Sequence, residues 1–119
     1  MNELCLRSAV DLAGLLARRE ASCVDVMDAH LAQIAEFDPR LNAIVTLDVD
    51  RAHDISAGYD ANYSRDSLPP LWGLPTAHKD LVSTRGMRTT FGSTLFAGPA
   101  RLSRTQDKQM IAVGTEARA

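Results

Sequence analysis

The sequence of 119 residues is poor in cysteine, in aromatic side chains and in any excess of one charge. Its two cysteines, Cys5 and Cys23, are too few for a disulfide-dense scaffold, and neither lies in a CxxC pair that would indicate a zinc site. They read as two free thiols in a reducing cytosol. Thirteen basic residues stand against fifteen acidic ones, a net charge of −2, so there is no general field to attract nucleic acid or an anionic membrane. Aromatics make up only 5% of the chain, yet 45% of it is hydrophobic and 24% charged. That balance is globular and excludes a disordered tail or a collagen-like chain. No apolar run approaches the ~20 residues a bilayer span requires. The best candidate for a leader, AVDLAGLLA at 9–17, is interrupted by Asp11 and followed by Arg18, Arg19 and Glu20 in place of a small-residue cleavage site. A cytoplasmic protein of one domain at most is therefore expected.

The first third has helical patterning. Ser8 precedes Asp11 by three residues, and Ser22 precedes Asp25 by three. Both pairs resemble capping boxes with a short acid in place of Glu or Gln. Val10, Leu12, Leu15 and Leu16 then form one apolar stripe, and Val24, Met27, Leu31 and Ile34 a second. Asp38-Pro39 is expected to close the second helix, because the residue before a proline disfavours the helical region. Residues 41–47 read as a short strand or extended connection. Residues 48–61 predict a third helix with Val49, Ala52, Ile55 and Tyr59 inward, weakened by Gly58. The polar stretch that ends in Pro69-Pro70 marks an exposed loop. After it come a turn at Gly73-Leu74-Pro75, packed by Trp72, and a strand-like run from Thr76 to Val82. The segment 85–100 is rich in glycine and small residues and reads as a loop whose backbone matters more than its side chains.

Lys79 is the candidate for chemistry. A lysine inside an apolar strand-like run is unusual, because an unpartnered ammonium is costly to bury. Strand alternation places Lys79 with Ala77 and Leu81 on one face and Asp80 on the other. An inward-facing Lys79 would be desolvated, its pKa lowered, and a lysine so lowered can act as a base near neutral pH. His30, His53 and His78 lack a second ligand at metal spacing. Gly86, Gly92 and Gly98 form no phosphate-binding pattern. Arg18-Arg19 reads as a solvated helix end.

The run GLPTAHKD, followed by Gly86, Thr89-Thr90 and Gly92-Ser93, resembles the amidase signature family, whose lysine segment has the form G-x-P-x-x-x-K-D. The helix from Ser8 to Leu16, the stretch Asp38-Pro39-x-Leu41-Asn42-Ala43 and the helix before Pro69-Pro70 are in the family's order. The resemblance covers roughly residues 4–98. It implies an α/β fold, a mixed sheet covered by helices, of which this chain would hold the N-terminal helices and the first strand or strands. Residues 1–98 would be the N-terminal part of such a domain, and residues 99–119 a divergent tail. It also implies a Ser–cis-Ser–Lys triad with Lys79 as the base. The lysine takes a proton, through a bridging serine, from a nucleophilic serine that attacks an amide carbonyl. Backbone N–H groups near the nucleophile would hold the oxyanion. No cofactor or metal is implied, and the substrate of the full-length parent would be a small-molecule amide.

The family's Gly/Ser-rich segment with both serines is absent from this sequence. Ser83, Ser93 and Ser103 come after Lys79, but none has a Gly-Gly-Ser-Ser-like setting, and Ser93 reads as a structural residue of the loop. The chain is thus expected to represent only the first part of a longer member, of the kind a frameshift or an early stop would leave, and to be inactive alone. Two alternatives stay open: the A subunit of an amidotransferase that acts on misacylated tRNA, and a non-enzymatic binding module that keeps the family's helices.

Overall fold

The computed structural model describes residues 2–83 and 86–97, and the backbone of residues 111–113. A 3₁₀ turn at Glu3–Leu6 leads into helices α1 (Ala9–Ala17), α2 (Cys23–Leu41) and α3 (Val49–Ala61). Strand β1 (Ala77–Lys79), a second 3₁₀ turn at Thr94–Phe96 and strand β2 (Ile111–Val113) come next. The described chain is mostly helical. Its two short strands pair in parallel, Ala77 opposite Ile111 and Lys79 opposite Val113. The remainder of the tail expected at 99–119 lies outside the described residues.

Both serine caps form. The Ser8 hydroxyl accepts the Asp11 N–H at 3.1 Å and donates to its carboxylate at 2.7 Å, which holds the Asp11 carboxyl below its ordinary range. Ser22 and Asp25 make the full reciprocal box, each backbone N–H bonded to the other's side chain at 3.0 Å. The second helix, however, does not stop at Asp38-Pro39. It includes Pro39 and runs to Leu41, one turn further. The turn survives because Asp38 anchors it: its carbonyl accepts from Asn42, in the left-handed region at φ 49°, and its Oδ1 accepts from Ala43 at 2.8 Å and Ile44 at 3.1 Å. The chain then leaves as an extended connection.

Two buried clusters form the core. Leu12 and Leu16 of α1 pack with Cys23 and Val26 of α2 and with Leu74, and Met27 and Leu31 of α2 pack with Ala52 of α3. Val10 is exposed, contrary to its place in the apolar stripe, because it lies about 200° around α1 from Leu12. Val49 is also exposed, and the buried line of α3 is Ala52 and Ser56, whose hydroxyl donates to the Ala52 carbonyl at 2.8 Å. Ile55 and Tyr59 are half-buried.

Long-range polar contacts tie the helices together. The Asp60 carboxylate of α3 accepts the N–H groups of Cys23 at 2.8 Å and Val24 at 3.1 Å, two donors at the start of α2 that have no partner within the helix. Burial, and then the neighbouring Asp60, push the Cys23 thiol up to about 12, so this cysteine is an inert core residue. The Tyr63 hydroxyl donates to the Ala17 carbonyl at 2.7 Å, and the Arg19 guanidinium lies 4.7 Å over the Tyr63 ring. Trp72 packs the turn as expected, edge-to-face with Tyr59 and Tyr63 at 5.5 Å each. Gly73 has φ +74°, and a Cβ there would sit 2.5 Å from Cys23 Sγ, so only glycine lets this turn approach the core so closely.

Candidate active site

Lys79 is the last residue of β1, on a strand as expected, but its side chain is exposed. Ala77 on the same face is exposed, and Leu81 beyond the strand is 54% exposed. The neighbour turned inward is Asp80, at 6%. The expected inward-facing lysine is therefore overturned, and the desolvation argued from Ala77 and Leu81 is absent. The strand also ends at Lys79 instead of running on to Val82, because the Lys79 carbonyl accepts from Leu81 at 2.7 Å and from Val82 at 2.9 Å in a tight turn.

The cause of both corrections is Asp80. Its Oδ1 accepts the Thr90 N–H at 2.8 Å, and its Oδ2 accepts the Thr90 hydroxyl and the Gly92 N–H. Its carbonyl accepts from Phe91 at 3.1 Å. A buried carboxylate needs such donors, and the loop supplies them by folding back on the end of β1. The return bend places Phe91 at φ 53° and Gly92 at φ 70°, both left-handed. Ser93 sits at the head of the second 3₁₀ turn, its hydroxyl accepting from Leu95 at 3.3 Å. Met87 is buried, and Gly86, at φ +76°, lies where a Cβ would stand 2.1 Å from the Arg51 guanidinium of α3.

Asp80 and Asp60 were not foreseen as organising residues. The signal for Asp80 was present as an acid ten residues before a Thr-Phe-Gly bend. Asp60 had no local signal, because its partners are 36 and 37 residues away. Two of the three histidines are engaged elsewhere. His30 Nδ1 lies 2.7 Å from the Val26 carbonyl, and His53 Nε2 joins Asp28 at 3.0 Å across α3 and α2. Among the described residues, no His, Cys, Asp and Glu side chains cluster so as to hold a metal ion, and no helix is long and apolar enough to cross a membrane. An open apolar groove of about 350 Å³ beside α3, lined by Ile55, Gly58, Tyr59, Asn62 and Trp72, contains no carboxylate or amine. The arrangement at β1 thus presents one primary amine on a strand end, fixed from behind by an aspartate-clamped loop.

The sequence family described as Amidase matches residues 25–110 of this chain, and the chain belongs to that family, the amidase signature family. Among its curated relatives are the glutamyl-tRNA(Gln) amidotransferase A subunits of Acidothermus cellulolyticus, 42% identical over 99 residues, and of Salinispora arenicola, 41% identical over 99 residues. Each match takes in 82% of this chain and 20% of the relative, so the chain spans about a fifth of their length. Two solved structures, described as a vestigial protein complex that reveals the evolutionary origins of an s-triazine catabolic enzyme, superpose with TM-scores of 0.73 and 0.76. The second is an inhibitor-bound complex. They share 26% and 28% identity with this chain, covering 91% of it and 25% of their own length.

Proposed function

We propose that this chain is the lysine-bearing N-terminal unit of an amidohydrolase that cleaves amide C–N bonds, with Lys79 as the base of a Ser–cis-Ser–Lys triad. The observation that carries the reading is the position of Lys79 at the end of β1, backed by the Asp80 clamp, in a chain of the amidase family. Its amine would take the proton of a nucleophilic serine through a bridging serine, and an acyl-enzyme would form and then be released by water. Both serines would come from sequence equivalent to the part of the relatives that this chain does not match. A lysine exposed in the isolated unit becomes a useful base once that part covers it, since loss of water favours the neutral amine. The β1–β2 pair would be the start of the family's mixed sheet, and the location would be the cytoplasm. No cofactor is required by this chemistry, and the substrate is a small-molecule amide.

The identity of the curated relatives favours a second reading, in which the unit belongs to the A subunit of a glutamyl-tRNA(Gln) amidotransferase and works with partner subunits. Both readings share Lys79 and differ in substrate. The test is a graft. Residues 1–98 replace the matching segment of the Acidothermus cellulolyticus A subunit, and ammonia or amine release from aryl and aliphatic amides is monitored, alone and with the partner subunits. Turnover within about tenfold of the parent is expected, the tolerance of a site whose geometry is kept. A soluble, folded graft with no turnover in either setting refutes the reading. Turnover only with the partner subunits selects the second.

A further inference from the structure

Arg51 belongs to neither buried cluster of the core, yet it meets the loop that folds back on the end of β1. It lies in the first turn of α3, half-buried, with its backbone N–H bonded to the Asp48 cap at 3.1 Å. Among the described residues its guanidinium joins no ion pair. It reaches the backbone of Gly86 instead: a Cβ on that glycine would collide with Nη1 and stand 3.3 Å from Cζ. Gly86 has φ +76°, a conformation that glycine adopts freely, and the guanidinium fills the room that a side chain would need. Arginine suits this contact, because its planar head is weakly hydrated and packs closely on neighbouring groups. The next residue, Met87, is buried at 3%. The segment 86–92 is therefore held at both ends, by Arg51 and Met87 at one and by the Asp80 carboxylate, through Thr90 and Gly92, at the other. Asp80 follows Lys79 directly, and the Lys79 carbonyl closes the tight turn by accepting from Leu81 and Val82. The Thr89 hydroxyl adds a longer contact to the Val82 carbonyl at 3.4 Å. A continuous path of contacts thus runs from α3 to the residue that carries the amine.

We propose that Arg51 is a positioning residue for Lys79. By filling the space over Gly86 it fixes the outer end of the loop, and the loop, through its donors to Asp80, fixes the strand end that carries the amine. Without the guanidinium the segment 86–92 has more conformations open to it, and its bonds to Asp80 form at a greater entropic cost. The effect on turnover rests on the catalytic reading, in which Lys79 is the base. The link from α3 to the Lys79 turn stands on the contacts alone.

Amide hydrogen exchange on the full 119-residue chain tests the link without any catalysis. Arg51→Ala should speed exchange at Val82, Thr90 and Phe91 by about tenfold, while amides in the middle of α2 and in α3 from Ile55 onward keep their protection. Asp54→Ala, an exposed position on the same helix, should change none of them. Gly86→Ala should also loosen the loop, because the new Cβ displaces the guanidinium and is strained at φ +76°. Its effect should be smaller by about threefold or more when Arg51 is already alanine, as holds for two residues in contact. Exchange at Val82, Thr90 and Phe91 within about twofold of the parent in Arg51→Ala refutes the proposal, as does a rise that extends through α3. Equal effects of Gly86→Ala in both backgrounds also refute it. In the graft of residues 1–98, Arg51→Ala should lower kcat about tenfold with KM within about twofold, and Arg51→Lys, which keeps the stem and the charge but not the planar head, should fall between. Added to Lys79→Ala, it should cause no further loss, because it acts through that lysine. A loss that persists undiminished without Lys79 refutes the positioning role. A graft in which Lys79→Ala costs nothing counts against the base, and the exchange experiment then decides the link by itself.

Discussion

Replacing Asp80 with alanine removes the acceptor for the Thr90 N–H at 2.8 Å, the Thr90 hydroxyl and the Gly92 N–H at 3.4 Å. Hydrogen bonds to a charged partner contribute ~1.5–3 kcal/mol each, and a buried donor left without one costs ~1–3 kcal/mol. The 3.4 Å contact is weak, Thr90 is only half-buried, and water can replace part of what is lost. The loss falls mainly on one good backbone bond and one hydroxyl bond, together ~3 kcal/mol. At ~1.4 kcal/mol per factor of ten, the loop opens on the order of 100-fold more often. The helical core shares none of these bonds, so the effect should be local. Amide hydrogen exchange reads it directly. Thr90, Phe91 and Gly92 should exchange on the order of 100-fold faster in Asp80→Ala, while amides in the middle of α2 keep their protection. Asp80→Asn retains one acceptor oxygen and should fall between. Exchange at 90–92 within about threefold of the parent chain would refute the clamp, as would a uniform rise across α2.

Four further outcomes rest on the core and its thiols. Gly73→Ala places a Cβ 2.5 Å from Cys23 Sγ at φ +74° and should lower stability by about 2 kcal/mol or more in thermal unfolding. Leu16→Ala, at 2% exposure, should cost ~2–5 kcal/mol by the same measurement. Cys23, with its thiol pushed up to about 12, should resist alkylation at neutral pH until the chain unfolds, and Cys5 should react first. Because the folded Cys23 thiol titrates above its ordinary value of 9.0, its contribution to stability is complete below pH 9 and is lost as pH rises from there towards about 12, which pH-dependent melting would detect.

The three helices were legible because their signals are local. Ser8 and Ser22 cap the helices they precede, and apolar spacing of three and four marks the buried face from Leu12 to Leu16 and from Met27 to Leu31. The errors came where a distant partner decides. Pro39 looked like a stop, but Asp38 holds the last turn with its own carboxylate. Alternation separated Lys79 from Asp80 correctly but could not say which of them faces the core. The answer depended on Thr90 and Gly92, ten and twelve residues further on. Once Asp80 is drawn in by those donors, Ala77, Lys79 and Leu81 are left on the open side. Family membership was readable from GLPTAHKD and the ordered segments before it, because that pattern combines turn chemistry at Gly73 with the Lys79-Asp80 pair.

The proposed role of Lys79 is that of the base for amide hydrolysis. It is tested most directly in the graft of residues 1–98 onto the Acidothermus cellulolyticus subunit, by comparing single-turnover amide cleavage before and after Lys79→Ala. Folding should be checked by matched melting curves. A fall of about 10³-fold or more in the chemical step is expected, with substrate affinity little changed, since a base acting on the nucleophile contributes in the transition state. A folded Lys79→Ala graft that cleaves amides within tenfold of the unsubstituted graft would contradict it.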